Sequence, residues 1–410
     1  MASPPKTLTL CFTACILSSV VVAAQVAIQQ LTRTELQEIF GVQDHSKVPD
    51  YSLTEIHEYQ TRGASNHDGR LRMSMKVGGR LLRLHLSRND DLVQNTLVTK
   101  LSVNDDGQTI EENVTGKDDV DGELSQLYED PVHSAAFTIQ RDASGLLLDG
   151  SVGDYVVRTL PDHVTSNSSL RHVVYRQPDV RFVSDEYYPP DENTSANITQ
   201  PRGLHKRQVK VPAIVYAEVT LIVAHSVIRN KGSEANAKKY VLNYWNSVSS
   251  NYKSYKMSPD IRFKIKEFIM CSSPTAAMCN GIDQSGSLGD VLQRMVDYLK
   301  PRKKYDIAVA HNCANGWNRG DGMGAVAKAC DPWAVGVVSD DCSQRFTKLH
   351  LHETGHILGS PHDGDSGMPC DRSAYLMTPN GYSTSHLPSP CTRAKWSAYW
   401  SSSKGACMHM

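Results

Sequence analysis

Leu349-His350-Leu351-His352-Glu353-Thr354-Gly355-His356-Ile357-Leu358-Gly359-Ser360-Pro361-His362-Asp363 is the stretch on which the reading turns. On a helix, His352 and His356 stand four residues apart, so their imidazoles project from one face about a turn apart and both reach one zinc ion. Glu353, about 100° round the helix from His352, can contact a water at the metal without ligating the metal itself. Gly359 can take a left-handed conformation and end the helix, turning the chain so that His362 supplies a third nitrogen. Three protein ligands leave the fourth position to water, the arrangement of a catalytic zinc and not a structural one. Zinc so held lowers the pKa of water to about 7 and polarises a carbonyl, while Glu353 takes the water's proton as general base and passes it to a leaving amine. His350 falls on nearly the opposite helix face and reads as structural or solvent-exposed. His311 and His386 have no spacing argument and read as satisfied or exposed histidines.

Upstream of the motif the pattern is regular. Residues 213–227 read as a buried β-branched strand, 233–252 have helical spacing, and 261–270 alternate as a strand. A helix at 287–299 stops before Pro301, a strand follows at 305–311, and two short runs come at 324–328 and 333–338. Strand and helix alternation of this kind implies an α/β domain of about 200 residues. Residues 25–207 differ: they hold no cysteine and no tryptophan, and short strand-like patches such as 80–86 and 145–150 are separated by Asp, Gly and Asn. An antiparallel, mainly β module is expected there. From about 160 the composition shifts to Ser, Asn, Pro and Asp, which suggests a poorly ordered connector.

The chain has 410 residues, enough for two units. Its 21% charged and 40% hydrophobic content excludes a largely disordered, collagenous or polytopic membrane protein. The net charge of −1 gives no field favouring nucleic acid or an anionic membrane. It divides unevenly, however: residues 1–207 carry 20 Lys+Arg and 28 Asp+Glu, net −8, and residues 208–410 carry 23 and 16, net +7. One lysine, an apolar run over 7–22 and the small residues Ala23 and Ala24 read as a secretory signal, residues 1–24, and not as a membrane anchor. Cleavage there removes Cys11 and Cys15; eight cysteines remain, all between 271 and 407, and read as four disulfides in a secreted, extracellular protein. Sequons at Asn113, Asn167, Asn193 and Asn197 are candidate glycan sites behind such a signal. The dibasic Lys206-Arg207, with Arg202 upstream, suits a processing convertase cutting after Arg207, where the composition changes sharply. The expected organisation is a signal at 1–24, a propeptide at 25–207 and a catalytic domain at 208–410, acting as a monomer on protein substrates.

The motif from His352 to His362 resembles the extended zinc motif of the metzincin metalloproteases, and Asp363 directly after the third histidine resembles the adamalysin or reprolysin branch. Residues 322–332 and 335–340 are similar to that branch's edge strand and the segment after it. Tyr375-Leu376-Met377-Thr378-Pro379 is similar to its Met-turn, with Met377 packed under the zinc ligands. The similarity covers most of 210–410, and as a whole the chain resembles the short secreted salivary metalloproteases of ticks. The resemblance implies a zincin-like α/β fold, a mixed sheet with helices and zinc in the cleft, preceded by the mainly β propeptide. It implies an extended substrate antiparallel to the strand at 323–328, and extracellular matrix or plasma proteins such as fibrin(ogen) as substrates. Asp363 would support the third ligand. Cys330 with Cys407 and Cys370 with Cys391 are the implied disulfides, leaving Cys271 with Cys279 and Cys313 with Cys342.

Two features depart from the family. No cysteine lies between 16 and 270, so a propeptide thiol on the zinc is impossible, and latency would come from the acidic half docking on the basic one, with a connector Asp or His in the cleft. Glu218 and Asp306 resemble two calcium ligands, but Met408-His409-Met410 after Cys407 supplies no Asn, leaving any Ca2+ site incomplete beside the zinc. A second reading, a binding module for host proteins that keeps the fold without turnover, is disfavoured by the intact Glu353 and three histidines.

Overall fold

The structure is a computed structural model describing residues 28–409, except 60–68, 94, 116–125, 166–168, 179, 182–185, 190–210, 277, 283–286, 303–304, 314–320, 366, 380–381 and 384. The signal segment, Arg207, Asn167, Asn193 and Asn197 lie outside the described residues.

The N-terminal part opens with helix α1 (Arg33–Phe40), started by a capping box in which Thr32 accepts from the Glu35 amide and Glu35 accepts from the Thr32 amide. Strands β1 (Tyr51–Thr54), β2 (His57–Glu58), β3 (Arg70–Val77) and β4 (Arg80–Arg88) follow, then the hairpin β5 (Leu97–Val103) and β6 (Thr109–Asn113). Next come β7 (Leu127–Asp130), β8 (Ala135–Asp142), β9 (Gly145–Val152), β10 (Tyr155–Thr159) and β11 (His172–Arg176). Nine of these strands form one sheet in the order β1-β11-β10-β9-β8-β7-β4-β3-β2, every pair antiparallel. Period-two burial puts Met73, Met75, Leu84, Leu86, Phe137 and Leu148 into its core. The connector expected from about 160 is therefore shortened: β11 lies inside the sheet. Its residues 172–175 are all buried, and the β-branched pair Val173-Val174 outweighs the polar composition around it.

Two short strands come next, β12 (Val180–Arg181) and β13 (Glu186–Tyr187). The C-terminal domain then runs β14 (Ile214–Val223), α2 (His225–Lys231), α3 (Glu234–Ser254), β15 (Asp260–Cys271), α4 (Leu288–Leu299), β16 (Ile307–Asn312), β17 (Asp321–Ala325), β18 (Val335–Ser339), α5 (Thr347–Ile357), β19 (Tyr382–Ser383) and α6 (Pro390–Trp400). This is the α/β fold expected. One boundary differs: the strand read over 213–227 stops at Val223 and α2 begins, because an uninterrupted apolar run does not reveal its own period.

The domain's sheet has the order β13-β17-β18-β16-β14-β15-β5-β6. Parallel pairing joins β18, β16, β14 and β15, and β17 runs antiparallel to β18. The sequence did not suggest that both ends of this sheet are N-terminal: β5 pairs with β15 at one side, and β13 pairs with β17 at the other. Leu92, Val98, Leu101 and Leu127 accordingly belong to the same core as Trp245, Phe268, Leu349 and Met377. All four disulfides occur with the pairings expected, at Cα separations of 5.5–6.0 Å.

Candidate metal centre

Helix α5 is buried along its whole length. His352 donates its Nδ1 proton to the Leu376 carbonyl at 2.7 Å, and His356 donates Nδ1–H to the Ser360 carbonyl at 2.8 Å. A carbonyl only accepts, so both rings carry their proton on Nδ1 and turn a basic Nε2 inward. The helix ends at Leu358, and Gly359 takes φ +126°, where an added Cβ would lie 2.7 Å from Tyr399. That turn returns the chain, and His362 Nε2 comes within 3.3 Å of His352 Nε2, which is 3.0 Å from His356 Nε2. Nitrogens bound tetrahedrally at about 2.0–2.1 Å lie about 3.3 Å apart, so these donors fit zinc in size, number and softness.

Glu353 is fully buried on the next helix position. Strand β17 lies against it through two glycines: a Cβ on Gly322 would come within 2.5 Å of Glu353 Oε1, and one on Gly324 within 2.5 Å of the Glu353 carbonyl oxygen. Met377 is fully buried below the helix, its sulfur 2.8 Å from where a Cβ on Gly355 would stand.

A family model for metallo-peptidase family M12, of reprolysin type, matches residues 216–400, which hold all of these groups. Residues 216–400 form a reprolysin-type metallopeptidase domain. Among curated proteins, the chain is 26% identical over 382 residues to a Bombyx mori protein named "A disintegrin and metalloproteinase with thrombospondin motifs like", covering 73% of this chain and 54% of that one. It is 21% identical over 415 residues to "A disintegrin and metalloproteinase with thrombospondin motifs adt-1" of Caenorhabditis elegans, covering 88% and 28%. With "A disintegrin and metalloproteinase with thrombospondin motifs 14" of Homo sapiens it shares 24% over 228 residues, covering 50% and 18%. The chain thus spans about half, or less, of these relatives' own lengths.

Within the reprolysin domain, Asp363 does not hold the third histidine as expected. Its amide donates to the Met377 carbonyl at 2.7 Å, and its Oδ1 accepts from Ser389 Oγ at 2.5 Å and Thr392 Oγ1 at 3.2 Å. It ties the chain after His362 to the Met377 turn and to α6, while burial pushes its carboxyl up. The ring of His362 faces two carboxylates that the sequence reading missed: Glu186 Oε1 at 3.2 Å and Asp365 Oδ2 at 3.8 Å from Nδ1. Asp365 could have been found as an acid three residues after a ligand. Glu186 is 176 residues upstream and carries no local signal.

The remaining candidates resolve into structure. His350 is buried and not exposed: it stacks on Tyr244 at 3.9 Å and stands 3.5 Å from Asp340, on the far side of α5 as its spacing implied. His311 accepts from Trp245 Nε1 at 2.9 Å. His386 meets Asp154 of the N-terminal part at 3.1 Å. At the expected calcium position the Glu218 carboxylate pairs with Lys266 at 2.8 Å, and Asp306 Oδ2 accepts the Glu218 amide at 2.9 Å. Burial pushes Asp306 up to about 6. These carboxylates are engaged with chain groups and do not converge as a cation site. Two cysteine-containing groups, at Asp306 and at Asp340, have their sulfurs tied in disulfides. Asn113 is exposed at the end of β6.

Proposed function

We propose that the chain is a secreted zinc-dependent endopeptidase that cleaves extracellular proteins, matrix proteins or fibrin(ogen) among them, after a convertase has cut behind Arg207. The observation that carries this reading is the convergence of three inward Nε2 atoms beside a buried carboxylate, under strand β17. His352, His356 and His362 would hold zinc, and two of them are already fixed in tautomer by backbone carbonyls. Bound there, zinc supplies a Lewis acid that polarises a scissile carbonyl and acidifies water. Glu353 takes the proton of the attacking water and returns it to the departing amine nitrogen. Once β13 has left it, the outer backbone edge of β17 can pair with an extended peptide, which needs no particular side chain and suits a protein substrate. Secretion is supported by the apolar N-terminal run and four disulfides, and among the described residues no helix is long and apolar enough to cross a membrane. Glycans at Asn113, Asn167, Asn193 and Asn197 belong to the same reading.

The test is to cut the chain with a dibasic-specific convertase and incubate it at high dilution with casein, gelatin and fibrinogen. Cleavage abolished by a zinc chelator and restored by added zinc is expected. Cleavage that persists in the chelator, or none under any condition, would refute the reading.

A further inference from the structure

Just before the described N-terminal part ends, the chain is tied to two strands beside the histidines. Strand β12 pairs antiparallel with β19, which follows the Met377 turn, and β13 pairs parallel with β17 through Glu186 opposite Gly324 and Tyr187 opposite Ala325. The Val326 amide donates to the Tyr187 carbonyl at 3.0 Å. In the strand order, β13 is the neighbour of β17 on the side away from β18. The one outer edge of β17 is therefore already taken, and a peptide can pair there only if β13 leaves. The parallel direction is also the reverse of that expected for a substrate.

The side chains fasten this strand to the metal centre itself. Glu186 Oε1 accepts from the His362 amide at 2.5 Å and lies 3.2 Å from His362 Nδ1, and its Oε2 accepts from the Tyr188 hydroxyl at 3.1 Å. The carboxylate thus stands against the outer nitrogen of the third histidine, the place that backbone carbonyls take beside His352 and His356. The Tyr187 ring lies 5.5 Å from that of Trp333, on a floor where Gly289 leaves room: a Cβ there would be 3.4 Å from the tyrosine edge. Charge-assisted hydrogen bonds, a ring contact and strand pairing are three independent holds on one dipeptide.

We propose that Glu186 and Tyr187 are an inhibitory plug, a carboxylate and aromatic pair that takes the edge of β17 and the outer nitrogen of His362 and keeps peptides out of the cleft while the N-terminal part remains. The proposal rests on the endopeptidase reading. It replaces the Asp or His expected in the cleft with Glu186, and it gives a chain without a propeptide thiol its latency. The ligand class the site takes is an extended peptide carrying glutamate followed by tyrosine, supplied by the chain itself.

The test uses the full chain kept in one piece by Lys206→Ala and Arg207→Ala. On that background, Glu186→Ala with Tyr187→Ala is compared with the parent and with Asp106→Ala, an exposed acid far along the same part. Two readouts are taken: hydrogen exchange of the amides at 322–328, and hydrolysis of a quenched fluorescent peptide. The plug variant is expected to exchange at Val326 and hydrolyse at least about tenfold faster than the parent, the scale of one lost charge-assisted hydrogen bond. Asp106→Ala should match the parent. Glu186→Gln, which keeps the shape and drops the charge, should fall between them. Exchange and hydrolysis as slow in the plug variant as in the parent, while the convertase-cut native chain is active, would overturn the plug and leave the protease reading intact. Should the cut native chain itself be inactive, the protease reading fails, and faster or unchanged exchange at Val326 still decides the plug.

Discussion

Glu129 of the N-terminal part and Lys253 of the C-terminal domain form an ion pair in the seam between them, each side chain only 7% exposed. Lys253 Nζ also donates to Asn89 Oδ1 at 3.0 Å, and Asn89 Nδ2 donates to Asn246 Oδ1 at 2.9 Å, so the pair sits in a buried polar network. Together with β5 beside β15, this seam holds the halves by contacts that a cut behind Arg207 does not touch. The cut converts an intramolecular contact into a bimolecular one, so release becomes a matter of concentration. The specific activity of the cut chain should rise on dilution. Lys253→Ala strands a buried carboxylate at a cost of about 3–5 kcal/mol, which should move the dissociation midpoint up by about a hundredfold or more. Sedimentation against concentration checks it; equal midpoints would show that the pair does not hold the seam.

His172 gives the N-terminal sheet a dependence on pH. It is 2% exposed, its Nε2 accepts from the Leu148 amide at 3.1 Å, and burial lowers its pKa from 6.5 to about 4. The unfolded chain binds this proton below about pH 6.5 and the folded one only below about 4, so stability is full above 6.5 and is lost as pH falls toward 4. Near pH 5 the loss is about 2 kcal/mol. His172→Asn, which cannot titrate, should shrink the fall in melting temperature between neutral and mildly acid pH. An unchanged fall would remove His172 from the account.

Asp363 should matter for stability more than for metal binding. Asp363→Ala removes the acceptor of Ser389 and Thr392 and should cost about 2–3 kcal/mol in denaturant unfolding, with Ser389→Ala costing less. A strong loss of zinc affinity with unchanged unfolding would contradict that assignment.

Asp365 should behave in the opposite way once the plug has gone. Its Oδ2, 3.8 Å from His362 Nδ1, is the other carboxylate beside that nitrogen and is placed to accept its proton once Glu186 has left. Outer partners of metal-bound histidines are worth about 10–100-fold in affinity. Asp365→Ala should therefore weaken zinc binding in the cut, diluted chain and much less in the uncut one. Competition with a chromogenic chelator measures both, and equal losses would argue against the exchange of partners.

The histidine cluster was legible because His352, Glu353 and His356 take their relation from one helix, and Gly359 needs only a local turn to bring His362 back. The strands at 80–86 and 145–150 were legible for the same reason, since period-two burial is a local property. What the sequence hid is whatever depends on long-range pairing. Nothing in residues 97–103 tells that they join β15, or that Glu186 meets His362, because a strand's partner is chosen by the whole sheet. The direction taken by Asp363 was hidden too: the donors to its carboxylate, Ser389 and Thr392, arrive at the start of a later helix.

The most direct test of the central claim is to compare the native chain with Glu353→Ala, both cut behind Arg207 and highly diluted, for zinc content and for hydrolysis of one peptide bond. The account predicts one zinc per chain in both proteins and a rate lower by about 10²–10⁴-fold in the variant, the usual contribution of a general base. Equal rates in two zinc-loaded proteins would contradict it.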